Sequence, residues 1–408
     1  MNSRNNGNTA ASRPVAIVAA RRTAVGSFNG AFSTTSVVDL GIVAARAALQ
    51  DAGLEATRVD ETIVGNILGA GQKQNIARQV SIGAGLPESV PAYTVNKLCG
   101  SGLKSVALGM GAIRLGDAQV ILAGGAENMT MTPYAMPAAR GGARLGSTEL
   151  LDLIIHDGLT DAFGGYHMGI TAENLADQWK ITREEQDQFA LTSQHRAEAA
   201  ITAGHFQREI APVEIPQRKG DPLVVATDEF PRLGATMEGL AKLRPAFRKD
   251  GTVTAGNASG INDGAAMVIL ASEEAVKTHN LQPMAWLRSY GSAALDPAIM
   301  GYGPVPATRI ALERAGWTLQ DIELAELNEA FAAQSLAVLK GMLRELGGID
   351  PAIVNVNGGA IALGHPVGAS GTRILTTLVH EMIRRDLKKG LATLCIGGGQ
   401  GIAVTVER

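Results

Sequence analysis

Residues 93–129 read YTVNKLCGSGLKSVALGMGAIRLGDAQVILAGGAENM, and residues 353–404 read IVNVNGGAIALGHPVGASGTRILTTLVHEMIRRDLKKGLATLCIGGGQGIAV. In each stretch a strand with Val-Asn precedes a glycine-rich turn and a long amphipathic helix, and an apolar strand then ends in a glycine cluster. This repeated order predicts a duplicated βαβ unit, one in each half of the chain. Two halves packed face to face would bring their glycine-rich turns together at one site.

Short apolar segments alternate with a helical segment before the first of these stretches. PVAIVA at 14–19 and ETIVGNI at 61–67 have the continuous apolar character of buried strands, and residues 38–52 have helical apolar spacing. The alternation predicts an α/β fold with a mostly parallel sheet covered by helices on both faces.

The middle of the chain has a different sequence pattern from both halves. Thr182 followed by Glu185 is the signature of a capping box at the start of a helix. A helical insertion within an α/β chain typically builds a binding lid. We therefore predict an N-terminal half (1–130 plus 262–281), a loop domain (131–261) and a C-terminal half (282–408).

Composition and charge argue against several classes of protein. The formal net charge is −3 over 408 residues, whereas nucleic-acid-binding proteins carry a basic excess. No apolar run approaches the roughly 18 residues of a membrane span, so we expect no membrane association. Residues 1–13 are polar and lack the apolar core of a secretory signal, which predicts a disordered terminus on a cytoplasmic protein.

Glycine surrounds the two cysteines of the chain and one of its seven histidines: Cys99, Cys395 and His365. A thiol can act as a nucleophile or a proton carrier, and an imidazole can activate it. Taken singly, a cysteine is more often a small buried apolar residue than a catalytic one, and a histidine in such a turn is structural about as often as it is catalytic. A structural disulfide is disfavoured, because one cysteine pair in a long chain without a secretory signal does not indicate an oxidised scaffold.

Cys99 and Asn328 each stand next to a predicted helix. Amides at a helix start carry partial positive charge, so we expect them to lower the pKa of the Cys99 thiol and to donate to an oxyanion. The glycine run after Cys395 can present further amide donors. Asn328 follows a strand-like segment, so its side chain could hold a water or an oxyanion, cap the helix, or do both.

The motifs LCGSG, NEAFA, GHPVGASG and CIGGGQG, in this order, resemble those of the thiolases, the coenzyme A-dependent acyltransferases that form or cleave 3-ketoacyl-CoA. The resemblance covers residues 14–408. It implies thiolase-like duplicated βαβ halves that form a layered α/β/α/β/α core with an inserted loop domain. It also implies a homotetramer built as a dimer of tight dimers.

The resemblance implies a role for each catalytic residue. Cys99 is the nucleophile that becomes acylated, and His365 is its activator. Cys395 is the acid/base that takes a proton from the α-carbon of the second acyl-CoA. Asn328 holds a water that forms one oxyanion hole with His365, and the N–H groups of Cys99 and Gly397 form the other. No metal or redox cofactor is expected, because coenzyme A, as substrate, carries the acyl group.

A second set of residues falls where the family contacts coenzyme A: His167, Met168, Arg232, Leu243, Phe247, Ala258, Ser259 and Phe331. Arg232 could pair with a phosphate or lie on the adenine, although ordinary loop structure is an equal alternative. Gly239 departs from biosynthetic members that carry a serine there, which puts one polar contact to the cofactor in doubt.

The segment GGYHMGITAEN (164–174) is similar to that of short-chain thiolases, in which a bulky Met168 would cap the acyl pocket. We therefore expect reversible condensation of two acetyl-CoA to acetoacetyl-CoA and CoA through acetyl-Cys99. A degradative 3-ketoacyl-CoA thiolase of broader chain length is the alternative, because CIGGGQG and GMLRELGGID occur there too. A β-ketoacyl synthase would carry a second histidine where Cys395 stands, and a non-catalytic acyl-CoA-binding protein would lack a catalytic residue. A regulatory Cys99–Cys395 disulfide stays open.

Overall fold

The computed structural model describes residues 13–408, so the prediction for the polar N-terminus falls, except for Arg13, outside the described residues. The strands are β1 (Val15–Arg22), β2 (Gly26–Ser27), β3 (Glu61–Gly65), β4 (Ala92–Val95), β5 (Val120–Asn128), β6 (Tyr134–Ala135), β7 (Leu151–Asp152), β8 (Val213–Ile215), β9 (Leu223–Val225), β10 (Asn262–Ser272), β11 (Ala285–Ala294), β12 (Leu324–Leu327), β13 (Lys389–Ile396) and β14 (Gln400–Glu407). The helices are α1 (Val37–Ala52), α2 (Ile76–Ala84), α3 (Ser101–Leu115), α4 (Met168–Trp179), α5 (Arg183–Thr202), α6 (Met237–Ala241), α7 (Glu273–Thr278), α8 (Pro304–Ala315), α9 (Ala332–Leu346), α10 (Ala360–Leu363) and α11 (Ser370–Arg385).

The principal sheet consists of two half-sheets with the same strand order. The N-terminal half runs β4-β3-β5-β10-β1, with two parallel pairs followed by two antiparallel pairs. The C-terminal half runs β12-β13-β14-β11, with one parallel pair followed by two antiparallel pairs. A short pairing of β1 with β11 joins the halves. The predicted duplication is confirmed.

Two expectations about this sheet are wrong. The sheet is mixed rather than mostly parallel, partly because the glycine turn between β13 and β14 is short, and a short turn can join only antiparallel neighbours. The Val-Asn segment of the second stretch forms no strand. Val354 instead makes an isolated parallel bridge to Ala325, at the place that β4 occupies in the N-terminal half. No longer strand forms here because a turn that begins at Pro351 directly precedes Val354.

Helices α3 and α11 lie between the two half-sheets and contact each other. Their apolar side chains, such as those of Leu103 and Ile374, are fully buried in a cluster that takes residues from both half-sheets. Helices α1 and α2 cover the outer face of one half-sheet, and α8 and α9 cover that of the other. The expected α/β/α/β/α layering is therefore present. None of the helices within residues 13–408 has the length and apolar character needed to cross a bilayer.

The segment between β5 and β10 carries helices α4 and α5. Helix α5 begins with the expected capping box, in which Thr182 and Glu185 bond each other's backbone N–H groups. Helix α5 packs on α9 and α10 of the C-terminal half, and α4 packs on α9. The insertion thus covers the end of the core at which the glycine-rich turns lie.

Candidate active site

The catalytic residues expected from the sequence lie at strand ends or just before the two helices that lie between the half-sheets. They are Cys99 between β4 and α3, Asn328 after β12, His365 before α11, and Cys395 near the end of β13. The helix starts beside them are in direct contact, because Thr372 Oγ1 donates to the Gly102 carbonyl oxygen at 2.8 Å. A Cβ on Gly371 would lie 2.4 Å from the Leu103 amide nitrogen, so this close approach requires glycine.

The Cys99 thiol accepts hydrogen bonds from backbone N–H groups but lies in a poorly solvated position. Burial raises its pKa to about 11, although the backbone N–H groups of Gly397 and of Cys99 itself lower it. The carboxylate of Glu127 raises it further. The expectation that helix-start amides would lower the pKa is therefore wrong in its net direction, because desolvation of the thiolate outweighs two N–H donors.

The turn before Cys99 has a strained backbone. Leu98 has a φ of +46°, in the left-handed region that a leucine rarely adopts. The Ser101 hydroxyl holds this turn, since it accepts from the Lys97 N–H at 2.8 Å and donates to the Leu98 carbonyl oxygen at 2.6 Å. The position of the nucleophile is thus determined by backbone that the start of α3 stabilises.

His365 is buried, and its two ring nitrogens have different surroundings. Nδ1 lies 2.6 Å from Ser370 Oγ, whereas Nε2 has no hydrogen-bond partner within residues 13–408. The His365 backbone N–H donates to Asn262 Oδ1 at 2.9 Å, which fixes the turn. Burial, with the positive charge of Arg373, lowers the pKa of His365 to about 3. The imidazole is therefore neutral near pH 7 and can accept a proton.

Asn328 and Cys395 lie side by side on neighbouring strands. Asn328 is 1% exposed, and neither polar atom of its side chain has a partner among the described residues. Its backbone N–H donates to the Thr393 carbonyl oxygen at 3.0 Å, which places it beside β13. Burial, with the charge of Cys99, raises the pKa of Cys395, and both cysteines are free thiols. A buried amide without partners is costly in a packed core, which fits a group that binds a ligand or water.

Most of the expected coenzyme A contacts form one wall beside Cys395. We define the acyl wall as His167, Met168, Phe247, Ala258, Ser259 and Phe331. Met168, Ala258 and Phe331 share an apolar cluster with Cys395, against which Phe247 packs. The His167 ring stacks on Phe247 at 4.6 Å between centroids, and Ser259 donates its N–H to the Ala330 carbonyl oxygen next to Phe331. The wall reaches Gly397, because a Cβ there would lie 3.4 Å from Met168 Sδ.

The other two expected contacts lie outside this wall. Leu243 packs against Gly256, close behind Ala258. Arg232 is exposed, and its guanidinium carbon lies 5.9 Å from the centre of the Phe230 ring. Nothing in the described chain brings Arg232 into contact with the acyl wall. Gly239 is exposed on α6, where a Cβ would meet Thr236 Oγ1 at 3.4 Å and no other atom of the described chain, so a serine would fit.

Sequence reasoning missed three polar residues at this site: Ser370, Asn262 and Glu127. Glu127 accepts N–H groups from Ile67 and Leu68 at 3.1 Å and from Gly368 at 2.9 Å, so it joins the end of β3 to the His365 turn. Burial raises the pKa of Glu127 to about 7. The available signal was position, because Glu127 is an acid within the apolar strand β5, and Ser370 stands five residues after His365.

Comparisons with known proteins agree with this geometry. The chain matches the family descriptions "Thiolase, N-terminal domain" over residues 15–274 and "Thiolase, C-terminal domain" over residues 281–408. The chain belongs to the thiolase family. The family expected from the motifs is therefore confirmed, and so is an enzymatic role.

This thiolase is similar to curated and solved relatives over nearly its full length. It is 62% identical to an acetyl-CoA acetyltransferase of Pseudomonas aeruginosa, with 97% of this chain and 99% of the relative covered. An acetyl-CoA acetyltransferase structure from Bacillus anthracis matches with a TM-score of 0.93 and 45% identity, covering 97% of this chain and 99% of that one. The human mitochondrial 3-ketoacyl-CoA thiolase structure matches with a TM-score of 0.93 and 47% identity, covering 98% and 99%.

Proposed function

We propose that this thiolase is an acetyl-CoA acetyltransferase, which condenses two acetyl-CoA reversibly to acetoacetyl-CoA and CoA through acetyl-Cys99. The observation that carries the proposal is the set of groups that the site brings together: a thiol, a neutral imidazole, an amide and a further thiol that is buried. Neither Nε2 of the imidazole nor the amide has a partner within residues 13–408. The names of relatives at 62% and 58% identity support acetyl-CoA as the substrate.

Acylation starts from a neutral pair. With a pKa of about 11 for Cys99 and about 3 for His365, the resting site at pH 7 holds a thiol and an imidazole rather than an ion pair. Cys99 Sγ attacks the thioester carbonyl as its proton passes to Nε2. The bond to coenzyme A then breaks, and the departing thiolate takes the proton of Cys395, which leaves a Cys395 thiolate and an imidazolium on His365. The N–H groups of Cys99 and Gly397 stabilise the oxyanion of this step.

Condensation uses the groups of the C-terminal half. Because burial raises the pKa of Cys395, its thiolate is a strong base, as a weak carbon acid requires. It removes the α-proton of the second acetyl-CoA, and the enolate oxygen is stabilised by His365 and by a water on Asn328. The carbanion attacks acetyl-Cys99 and releases the Cys99 thiolate, which takes its proton back from His365 Nε2.

The acyl wall and Met168 provide the remaining parts of the proposal. Coenzyme A lies against the acyl wall, with Arg232 and Leu243 toward its nucleotide end, and Met168 limits the acyl chain to acetyl. The active form is a cytoplasmic homotetramer without a permanently bound cofactor. The chain divides into the two halves and loop domain given above, and Glu127 and Asn262 position the His365 turn.

Coenzyme A-dependent cleavage of a 3-ketoacyl-CoA series tests this function. Activity should be confined to acetoacetyl-CoA and fall sharply with each added pair of carbons. Activity that rises with chain length would replace the proposal with the degradative alternative. Complete inactivity on every member, with bound acyl-CoA retained, would favour a binding protein.

A further inference from the structure

We propose that Ser370 fixes the tautomer of His365, keeping a proton on Nδ1 so that Nε2 remains the proton acceptor for Cys99. Ser370 Oγ lies 2.6 Å from His365 Nδ1 and 2.9 Å from the carbonyl oxygen of Pro366. Both side chains are buried, at 0% exposure for Ser370 and 5% for His365. Ser370 acts through the imidazole and is a positioning residue.

The proton count of the hydroxyl supports this assignment. A serine hydroxyl has one proton to donate and lone pairs that accept. The Pro366 carbonyl can only accept, so a hydroxyl that donates to it must accept at Nδ1, and Nδ1 must then carry a proton. In the opposite tautomer the proton would sit on Nε2, a buried atom with no acceptor among the described residues. Orphaned buried N–H groups are rarer than orphaned acceptors.

The same arrangement serves the charged imidazole. When Nε2 takes the proton of Cys99, Nδ1 still carries its own and still needs an acceptor. Ser370 Oγ provides that acceptor in both states because its own proton stays directed at Pro366. No hydroxyl has to rotate during the transfer, so the site is preorganised for it.

Ser101 occupies the equivalent place in the other half and provides a matched control. It is the first residue of α3, as Ser370 is of α11, and both stand before a glycine. Within residues 13–408 its hydroxyl bonds only backbone, at Lys97 and Leu98. Loss of the Ser101 hydroxyl therefore weakens the Cys99 turn without touching the imidazole.

The test is solid-state NMR of protein with nitrogen-labelled histidine, with the His365 signal assigned by its loss in His365→Asn. The proton should be on Nδ1 in the unmodified protein and in Ser101→Ala, and should move partly to Nε2 in Ser370→Ala. Ser370→Thr retains the hydroxyl and should retain the Nδ1 proton. A proton on Nε2 in the unmodified protein overturns the proposal, whatever the variants do.

Kinetics provide the second readout, and this part rests on the acylation step proposed above. Ser370→Ala should lower the acylation rate about ten- to a hundredfold, at or below the lower end of what a general base contributes because the base is still present, while KM for acetyl-CoA changes little. Ser370→Thr should recover most of that rate. A full acylation rate together with an unchanged tautomer in Ser370→Ala would refute the inference. An enzyme with no acyl transfer at all would refute the proposed function, while the NMR result would still decide the tautomer.

Discussion

The two halves place different residue pairs at comparable strand ends. Asn66 directly follows β3 and lies beside Glu127 of β5, whereas Asn328 directly follows β12, which pairs in parallel with β13, the strand of Cys395. Asn66 donates to Glu127 at 2.8 Å and to the Ala126 carbonyl oxygen at 3.0 Å. Asn328 has no partner among the described residues. The first pair is satisfied within the protein and holds the His365 turn, whereas the second pair is left available for substrate.

The largest expected effect is that of the nucleophile, which the N-terminal half supplies. Cys99→Ser should form no detectable acetyl-enzyme and should lower turnover by at least about 10³-fold, because an unactivated hydroxyl replaces the thiol. Intact mass after incubation with acetyl-CoA measures acylation. Thermal unfolding should match the parent protein, and acetylation of the variant at the parent rate would exclude Cys99 as the acceptor.

Removing the side chain of Asn66 or of Asn328 distinguishes the role of the Asn66–Glu127 pair from that of the Asn328–Cys395 pair. Asn328→Ala should lower the rate of condensation about 10²-fold, as loss of an oxyanion-stabilising group does, and should leave the free energy of unfolding nearly unchanged. Asn66→Ala should instead lower the free energy of unfolding by about 1–3 kcal/mol, because the buried Glu127 loses a partner. Denaturant unfolding and steady-state kinetics on both variants measure this. If Asn66→Ala lowered the rate of condensation and Asn328→Ala lowered the free energy of unfolding, the Asn66–Glu127 pair would be the one that takes part in the reaction.

The raised pKa of Cys99 predicts a specific pH dependence. Burial disfavours the thiolate, so the fraction ionised should keep rising from pH 7 toward the pKa of about 11. The Cys395→Ser variant leaves Cys99 as the single cysteine of the chain, so its alkylation by iodoacetamide reports on that thiol alone. The rate should increase up to pH 10 without a plateau. A plateau below pH 8 would indicate a preformed thiolate–imidazolium pair.

The smallest expected change concerns the acyl wall. Met168 is 8% exposed and lies beside Gly397, so Met168→Ala should open space for one or two methylene groups. The ratio of activity on a six-carbon to a four-carbon 3-ketoacyl-CoA should rise at least about tenfold, the lower end of the effect of one methylene in an apolar pocket. Gly239→Ser, on exposed α6, is a control that should leave this ratio unchanged. An unaltered ratio in Met168→Ala would remove Met168 from the specificity argument.

The motifs predicted more of this molecule than its apolar pattern did. The duplicated glycine turns predicted that Cys99 and His365 lie at one site, and the four motifs indicated the family that the comparisons confirm. Strand direction was not predictable, because buried strands read as continuous apolar runs whether their neighbours are parallel or antiparallel. The pKa of Cys99 was not predictable either, since it is the net of N–H donation and burial. The proposed division into 1–130 plus 262–281, 131–261 and 282–408 stays a prediction.

The central claim is that the nucleophile of one half and the base of the other perform separate steps. Its most direct test is the Cys395→Ser variant incubated with acetyl-CoA and examined by intact mass and by acetoacetyl-CoA formation. The predicted result is one acetyl group per chain on Cys99, with condensation reduced by about 10³-fold or more because the base is absent. Loss of acylation to the same degree as in Cys99→Ser would contradict the separation of the two steps.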